Sequence, residues 1–223
     1  LSSLIKESTS GNHMLRRARI FLETAALPID EAYSRWVGYF TDQELSVLLK
    51  YQYTVSNLIR DEWRSRANLS PILTASLVDL RTFVPNNLMA YGDAMSMANA
   101  FEVRFPFLDH KVVEFMTRID PKYRIYKGEK KYLLKKLMDG RLPDSIIHKP
   151  KRGLNPPMGM WLKNDLAPLV ESYLSKESIQ KRGLINFDYV QKLLWEHNTN
   201  RRDRSLHIWS LIVLEEWFRQ YID

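Results

Sequence analysis

The 223-residue sequence predicts a predominantly α-helical protein folded as one domain, residues 1–223. Three observations carry this. Apolar residues return every three or four positions along most of the chain, the period of one helix face. Residues suited to helix starts and stops, such as Pro28, Thr41, Asp109 and Gly140, punctuate these segments. Strand character is confined to two short stretches, residues 103–107 and 123–126, and no internal repeat, low-complexity tract or composition break suggests further domains.

The first predicted helix covers residues 13–27, with Leu15, Ile20 and Leu22 set among arginines and Pro28 as its stop. A second begins at Asp30 and carries Tyr33, Trp36 and Val37. Thr41 and Glu44 have capping-box spacing, each able to serve the other's backbone N–H, so a third helix is expected from Asp42 with Leu45, Leu48 and Leu49 on its apolar side. Residues 53–66 form the next. Pro71 fits the first turn of a helix continued by Ile72, Leu73, Leu77 and Leu80, because that turn needs no N–H.

Pro85 is expected to reset the chain, with Asn86 or Asn87 capping a Met-rich helix through Ala100 whose Met95 and Met97 fill the core. Residues 101–107 read as extended, since Pro106 disfavours helix at itself and its predecessor. Asp109 caps a helix over 110–118, and residues 129–138 form an amphipathic helix stopped by Gly140. The prolines and glycine of 149–157 exclude regular helix and shape a loop. Helices are expected over 165–174, 188–195 and 205–222, the last with Leu206, Trp209, Ile212, Val213 and Trp217 largely on one side.

Composition narrows the function classes. The absence of cysteine excludes disulfides, thiolate metal sites and a cysteine nucleophile, and is compatible with a reducing cytoplasm, the expected location. No apolar run has the length of a membrane span, and the first residues lack the pattern of a secretory signal, so no membrane partner is expected. The formal charge of +7 is concentrated between Lys122 and Arg152, where eleven Lys or Arg face only Glu129, Asp139 and Asp144. Such a segment in an otherwise balanced chain points to a local anionic ligand rather than to a nucleic-acid track. Lys130, Lys135 and Lys136 read as a solvated helix face. The five histidines stand far apart, no metal site is indicated, and the glycine-rich nucleotide loops and common hydrolase motifs are absent.

Six blocks rise above this background: Pro85-Asn-Asn-Leu-Met89; Asp93-Ala-Met-Ser-Met97; Glu102-Val-Arg-Phe-Pro-Phe-Leu-Asp109; Lys131-Tyr-Leu-Leu-Lys135; Leu142-Pro-Asp-Ser-Ile-Ile147; and Lys149-Pro-Lys-Arg-Gly-Leu154 with Pro157 and Trp161. In this order they resemble the C-terminal portion of the synthetase domain of glutamine-hydrolysing asparagine synthetases. The resemblance implies a multi-helix portion of an α/β adenine-nucleotide-hydrolase-like domain whose parallel sheet lies mostly in other polypeptide. It implies an ATP-dependent amidotransferase, in which glutamine-derived ammonia attacks an aspartyl adenylate. ATP and Mg2+ would be held mostly by an N-terminal part, and the isolated chain, expected to be a fragment, would carry neither and be inactive. Aspartate, ATP and glutamine are the implied substrates, the N-terminal glutaminase and ATP-binding portions the implied partners, and a homo-oligomer is compatible with the family.

Carried onto this sequence, the resemblance makes Lys151 the catalytic residue. Pyrophosphate gains negative charge as it leaves, and a lysine on a braced loop can stabilise that charge more in the transition state than in the ground state. Lys149, in place of a commoner arginine, and Arg152 are candidate phosphate contacts. Asp93, Glu102, Arg104, Asp109 and Trp161 are expected to support the site; Glu102 and Arg104, two apart in an extended segment, share a face and can pair. Asn86, Asn87 and Tyr91 depart from the charged residues many members carry there, which leaves open an amidotransferase acting on a different carboxylate. A noncatalytic helical module docking its basic segment on an acidic partner is the remaining alternative.

Overall fold

A computed structural model describes residues 13–51, 57–150 and 156–223. The chain divides into two compact units, one drawn from Leu1–Asn57 and Leu154–Asp223, the other from Leu58–Gly153. The described residues are mainly helical, with a single two-stranded sheet.

The first unit opens with α1 (His13–Thr24) and α2 (Ile29–Val37), the latter starting directly after Pro28. Thr24 Oγ1 donates to the Ile20 carbonyl and accepts from Trp36 Nε1 at 2.9 Å, which fixes α1 against α2. The capping box forms as expected ahead of α3 (Asp42–Leu48): Glu44 N donates to Thr41 Oγ1 at 3.1 Å, and Thr41 N donates to Glu44 Oε2 at 2.9 Å.

The second unit begins with α4 (Leu58–Arg64), shorter than the predicted helix, whose residues 53–56 lie outside the described ones. Ser70 caps α5 (Pro71–Arg81), and Thr74 Oγ1 donates to the Arg66 carbonyl at 3.1 Å, so the turn between α4 and α5 is closed from within. Pro85 does not break the path. The chain widens into a π-helical turn, Val84–Met89, and runs on into α6 (Ala90–Met97), with no side-chain cap from Asn86 or Asn87. The wider ladder leaves room for the proline ring, and the first turn has no need of its missing N–H. The helix ends at Met97, and Ala100 turns left-handed at φ 53° with Phe101 N donating to the Ser96 carbonyl.

Residues 101–105 belong to no helix or strand, Phe105 is extended, and Pro106–Leu108 is a single 3-10 turn. Asp109 Oδ1 accepts from Lys111 N at 2.9 Å and starts α7 (His110–Arg118) as its residue type predicts. The expected helix from Glu129 is a correction. Ile125–Tyr126 (β1) and Glu129–Lys130 (β2) form an antiparallel hairpin, registered Ile125 to Lys130 and Tyr126 to Glu129. Lys127 and Gly128 supply its turn at φ 48° and 82°, the left-handed pair a two-residue hairpin requires. Lys131, also left-handed, releases the chain into α8 (Tyr132–Met138), which Gly140 terminates at φ 70°; α9 (Asp144–Ile147) follows.

The rest of the first unit comprises α10 (Met158–Trp161), α11 (Ala167–Tyr173), α12 (Lys176–Arg182), α13 (Phe187–Asn198) and α14 (Ser205–Tyr221). Its core gathers Leu48, Leu162, Val170, Leu174, Ile179, Ile185, Val190, Leu193, Ile208, Leu211 and Ile212. An isolated bridge between Leu49 and Ile185 ties the end of α3 to the entry of α13. The stripe on α14 is rotated from the predicted one: Ile208, Leu211 and Ile212 face inward with Glu215, while Val213 and Trp217 are exposed. Glu215 is tolerated there because Arg182 grips it through Nε (2.9 Å) and Nη2 (3.1 Å) and Arg219 Nε adds a third bond.

Candidate functional site

The motif blocks fall mainly in the second unit, where the geometry is that of an open surface. Glu102 and Arg104 form the expected ion pair, with both side chains largely in water. Asp93, in the first turn of α6, and Lys149, just beyond α9, are exposed as well. Asp109 spends one oxygen on the α7 cap, a scaffold role. Lys151 and Arg152 lie outside the described residues. Trp161 belongs to the first unit, on α10, with its side chain partly exposed. The structure thus brings Glu102, Arg104 and Asp109 onto one segment and leaves Trp161 on the other unit.

Around this segment the surface is apolar. Phe107 is 71 % exposed and Tyr91 70 % exposed, and Phe101, Phe105 and Phe115 are also open. Met95 and Met97, expected in the core, stand in solvent. Phe105 has one definite seat: its ring tip lies where a side chain at Gly92 would meet it at 3.4 Å, so the bare backbone of α6 lets the extended segment lie close.

Sequence reasoning missed two polar contacts in the residues that flank the basic segment. On its N-terminal side, Glu129 Oε1 accepts from Lys135 Nζ at 2.7 Å and lies 3.6 Å from His148 Nδ1, which joins the hairpin, α8 and the residue before Lys149. The Lys135 hydrogen bond, with the nearby charges, holds the Glu129 carboxyl below its usual range. On its C-terminal side, His197 is buried; Nε2 donates to the Gly159 carbonyl at 3.0 Å, and Nδ1 accepts from Arg204 N at 3.2 Å. That pattern assigns the tautomer. Burial pushes the imidazole pKa down, only partly opposed by Gly159 and Asp203, so the ring is neutral near pH 7. Helical spacing marks His197 only as an inward position, and its partner is 38 residues away.

Within the second unit, Arg124 braces the segments behind the surface: Nη1 donates to Ser76 Oγ at 3.0 Å, and Nη2 donates to the Met116 carbonyl. Among the described residues no group of three His, Asp or Glu is placed to hold a metal ion, and no helix is long and apolar enough to cross a membrane. Lys149 is chemically suited to a phosphate.

A sequence model of the family described as asparagine synthase matches residues 4–219. Asparagine synthetase [glutamine-hydrolyzing] 1 of Bacillus subtilis (strain 168) is 28 % identical over 204 residues, which is 90 % of this chain and 32 % of that protein. A putative asparagine synthetase [glutamine-hydrolyzing] of Mycobacterium bovis is 25 % identical over 211 residues, 93 % of this chain and 32 % of its own length. Amidase chyE of Penicillium rubens is 24 % identical over 199 residues, 83 % of this chain and 29 % of that protein. The chain thus spans about a third of the length of these curated relatives. No solved structure matches.

Proposed function

Because this chain belongs to the asparagine synthase family, we propose that it is the C-terminal portion of an ATP-dependent amidotransferase that makes asparagine from aspartate, with ammonia released from glutamine. ATP supplies the leaving group: the aspartate side-chain carboxylate is adenylated, pyrophosphate departs, and ammonia then displaces AMP from the acyl carbon. In this reading Lys151 neutralises the departing phosphates, Lys149 and Arg152 add positive potential, and Glu129 and His197 position the ends of the loop that carries them. Asp93, Glu102, Arg104 and Asp109 shape the wall behind it. Most contacts to ATP and Mg2+ come from polypeptide N-terminal to this region, and the 223 residues alone are inactive.

The observation that carries this reading is the placement of the motif residues. Glu102, Arg104, Asp93 and Lys149 are kept at a surface instead of being used up in a core, as residues that meet a ligand or another part of the protein must be. The test is Lys151→Ala in the longer polypeptide. Amide formation should fall by roughly two to three orders of magnitude, the loss typical of removing one transition-state charge contact, with glutamine hydrolysis unchanged. Undiminished amide formation would falsify the assignment.

A second reading is favoured by specific residues. Asn86, Asn87 and Tyr91 stand exposed on the π-turn and α6, and two relatives are named amidases. An amidotransferase acting on a different carboxylate would fit such a wall. Pyrophosphate release measured across a panel of carboxylates separates the two readings: stimulation by aspartate alone supports the first, and stimulation by another acid supports the second.

A further inference from the structure

The β1–β2 hairpin and α8 of the second unit concentrate positive charge. Lys127, Lys130, Lys131 and Lys136 are exposed, and none has an ion-pair partner among the described residues. Two acids of the same segment are already matched: Asp120 Oδ2 lies 3.1 Å from Lys122 Nζ, and Glu129 Oε1 lies 2.7 Å from Lys135 Nζ. Asp139, just past α8, and Asp144, at the start of α9, are too few to cancel the four unmatched lysines.

Backbone geometry gathers these lysines. With Ile125 opposite Lys130 and Tyr126 opposite Glu129, and a rise of roughly 3.4 Å per residue, Lys127, Lys130 and Lys131 leave the backbone within about 10 Å of one another. The Glu129 carboxyl, held below its usual range first by the Lys135 hydrogen bond, also feels Lys136, which brings α8 to the same face. Lys127 and Lys131 both take left-handed φ, 48° and 59°, where glycine would be less strained; Ala100 and Asn200 are the other non-glycine residues of positive φ among those described. Strain of this kind, kept at two exposed cations, points to a use for the charge. The tyrosines of the segment are engaged locally: Lys122 Nζ lies 5.3 Å from the Tyr123 centroid, Lys127 Nζ 5.4 Å from that of Tyr126, and the Tyr126 and Tyr132 rings are 4.8 Å apart. Surfaces that hold single-stranded nucleic acid leave rings open for bases to stack on, whereas here charge alone is on offer.

We propose that this hairpin face is a docking surface for an acidic polypeptide segment, whose Asp and Glu side chains meet Lys127, Lys130, Lys131 and Lys136. An extended segment shows every second side chain on one face, about 7 Å apart, a spacing that the hairpin's lysine stems can span. Charge complementarity at an exposed surface chiefly speeds and orients encounter, so binding is moderate and falls with salt. None of these four lysines is assigned to the nucleotide, so the docking surface stands or falls separately from the function proposed above.

The test is fluorescence anisotropy with a fluorescein-labelled oligoglutamate peptide, set beside an oligoglutamine peptide of the same length, a thymidine oligonucleotide and phosphatidylserine vesicles. Saturable binding of oligoglutamate is expected, weaker at high salt, with oligoglutamine silent. Lys127→Gln, Lys130→Gln and Lys131→Gln together should weaken it about tenfold or more, a few-fold for each exposed charge lost. The same three positions changed to Arg keep the charge and should bind within about twofold of the parent, which separates lost charge from a disturbed hairpin. Removing three exposed lysines of the first unit, by Lys176→Gln, Lys181→Gln and Lys192→Gln, should leave binding unchanged. Absence of oligoglutamate binding, an equal loss in the first-unit variant, or tighter binding of the oligonucleotide or the vesicles overturns the proposal.

Discussion

The two units are both helical, yet they hold themselves together differently. The first encloses a continuous core in which Val190 and Leu193 have no exposed surface, and it closes its polar groups around buried arginines. In the second, Trp63 and Val78 are the only buried hydrophobic residues among those described, while Tyr91, Met95, Met97, Phe101, Phe107 and Phe115 face outward. Its order comes instead from local devices, the Ser70, Asp109 and Asp120 caps and the Lys127–Gly128 turn, together with the Arg124 brace. A core stabilises by removing apolar area from water, whereas caps contribute about 1 kcal/mol each. The contrast teaches that the first unit is built to stand and the second to present a surface.

The sharpest way to break this contrast is in the first unit's buried charges. Arg204→Met leaves Glu44 and Glu196 in a confined site without their cation, and should lower unfolding stability by about 3–5 kcal/mol. Adding Glu44→Gln and Glu196→Gln should restore much of that loss in urea titrations. If Arg204→Met alone is harmless, the network does not hold the unit.

A paired truncation comes next. Leu193→Ala should lose roughly 2–5 kcal/mol, and Phe107→Ala, at an exposed position, no more than about 0.5 kcal/mol. Equal losses in thermal or urea unfolding would mean that the second unit's aromatics are covered in solution.

The smallest effect is a slope. The folded pKa of His197 lies below its ordinary value of 6.5, so below that pH the unfolded chain binds a proton the folded chain refuses. Its contribution to stability is full above about pH 6.5 and is lost as pH falls toward the folded value, by at most about 1.4 kcal/mol per pH unit. Glu44 acts in the same direction at lower pH. Burial alone would raise its carboxyl, but the neighbouring His207, the Thr41 N–H and Arg204 outweigh burial and hold it well below its ordinary 4.5. His197→Gln should remove the upper part of this acid slope, measured as stability against pH between 7 and 5. An unaltered slope would show that another group titrates there.

What the sequence made legible was local. The Thr41–Glu44 box, the Asp109 cap, Pro71 in a first turn and the Gly140 stop each depend on residues at most four apart, so their geometry is written in the spacing. The family blocks were legible for a different reason, since their order along the chain survives whatever the fold does with it. The hairpin was hidden because Lys127 accepts a left-handed conformation that its residue type does not advertise, which moved Glu129 from a predicted helix to a strand. The π-turn was hidden because a proline usually marks a break. The stripe on α14 was misphased because apolar residues occur almost all the way round it, and only tertiary packing selects which of them turn inward. His197 and Arg204 find partners up to 160 residues distant, which no local pattern reveals.

The left-handed alanine at position 100 carries a last implication. A methyl group in that conformation costs about 1–2 kcal/mol that a glycine would escape, yet glycine would also free the backbone to swing through many directions. With alanine, the joint ahead of Glu102 has fewer ways to bend than glycine would give it, which narrows the paths the following segment can take.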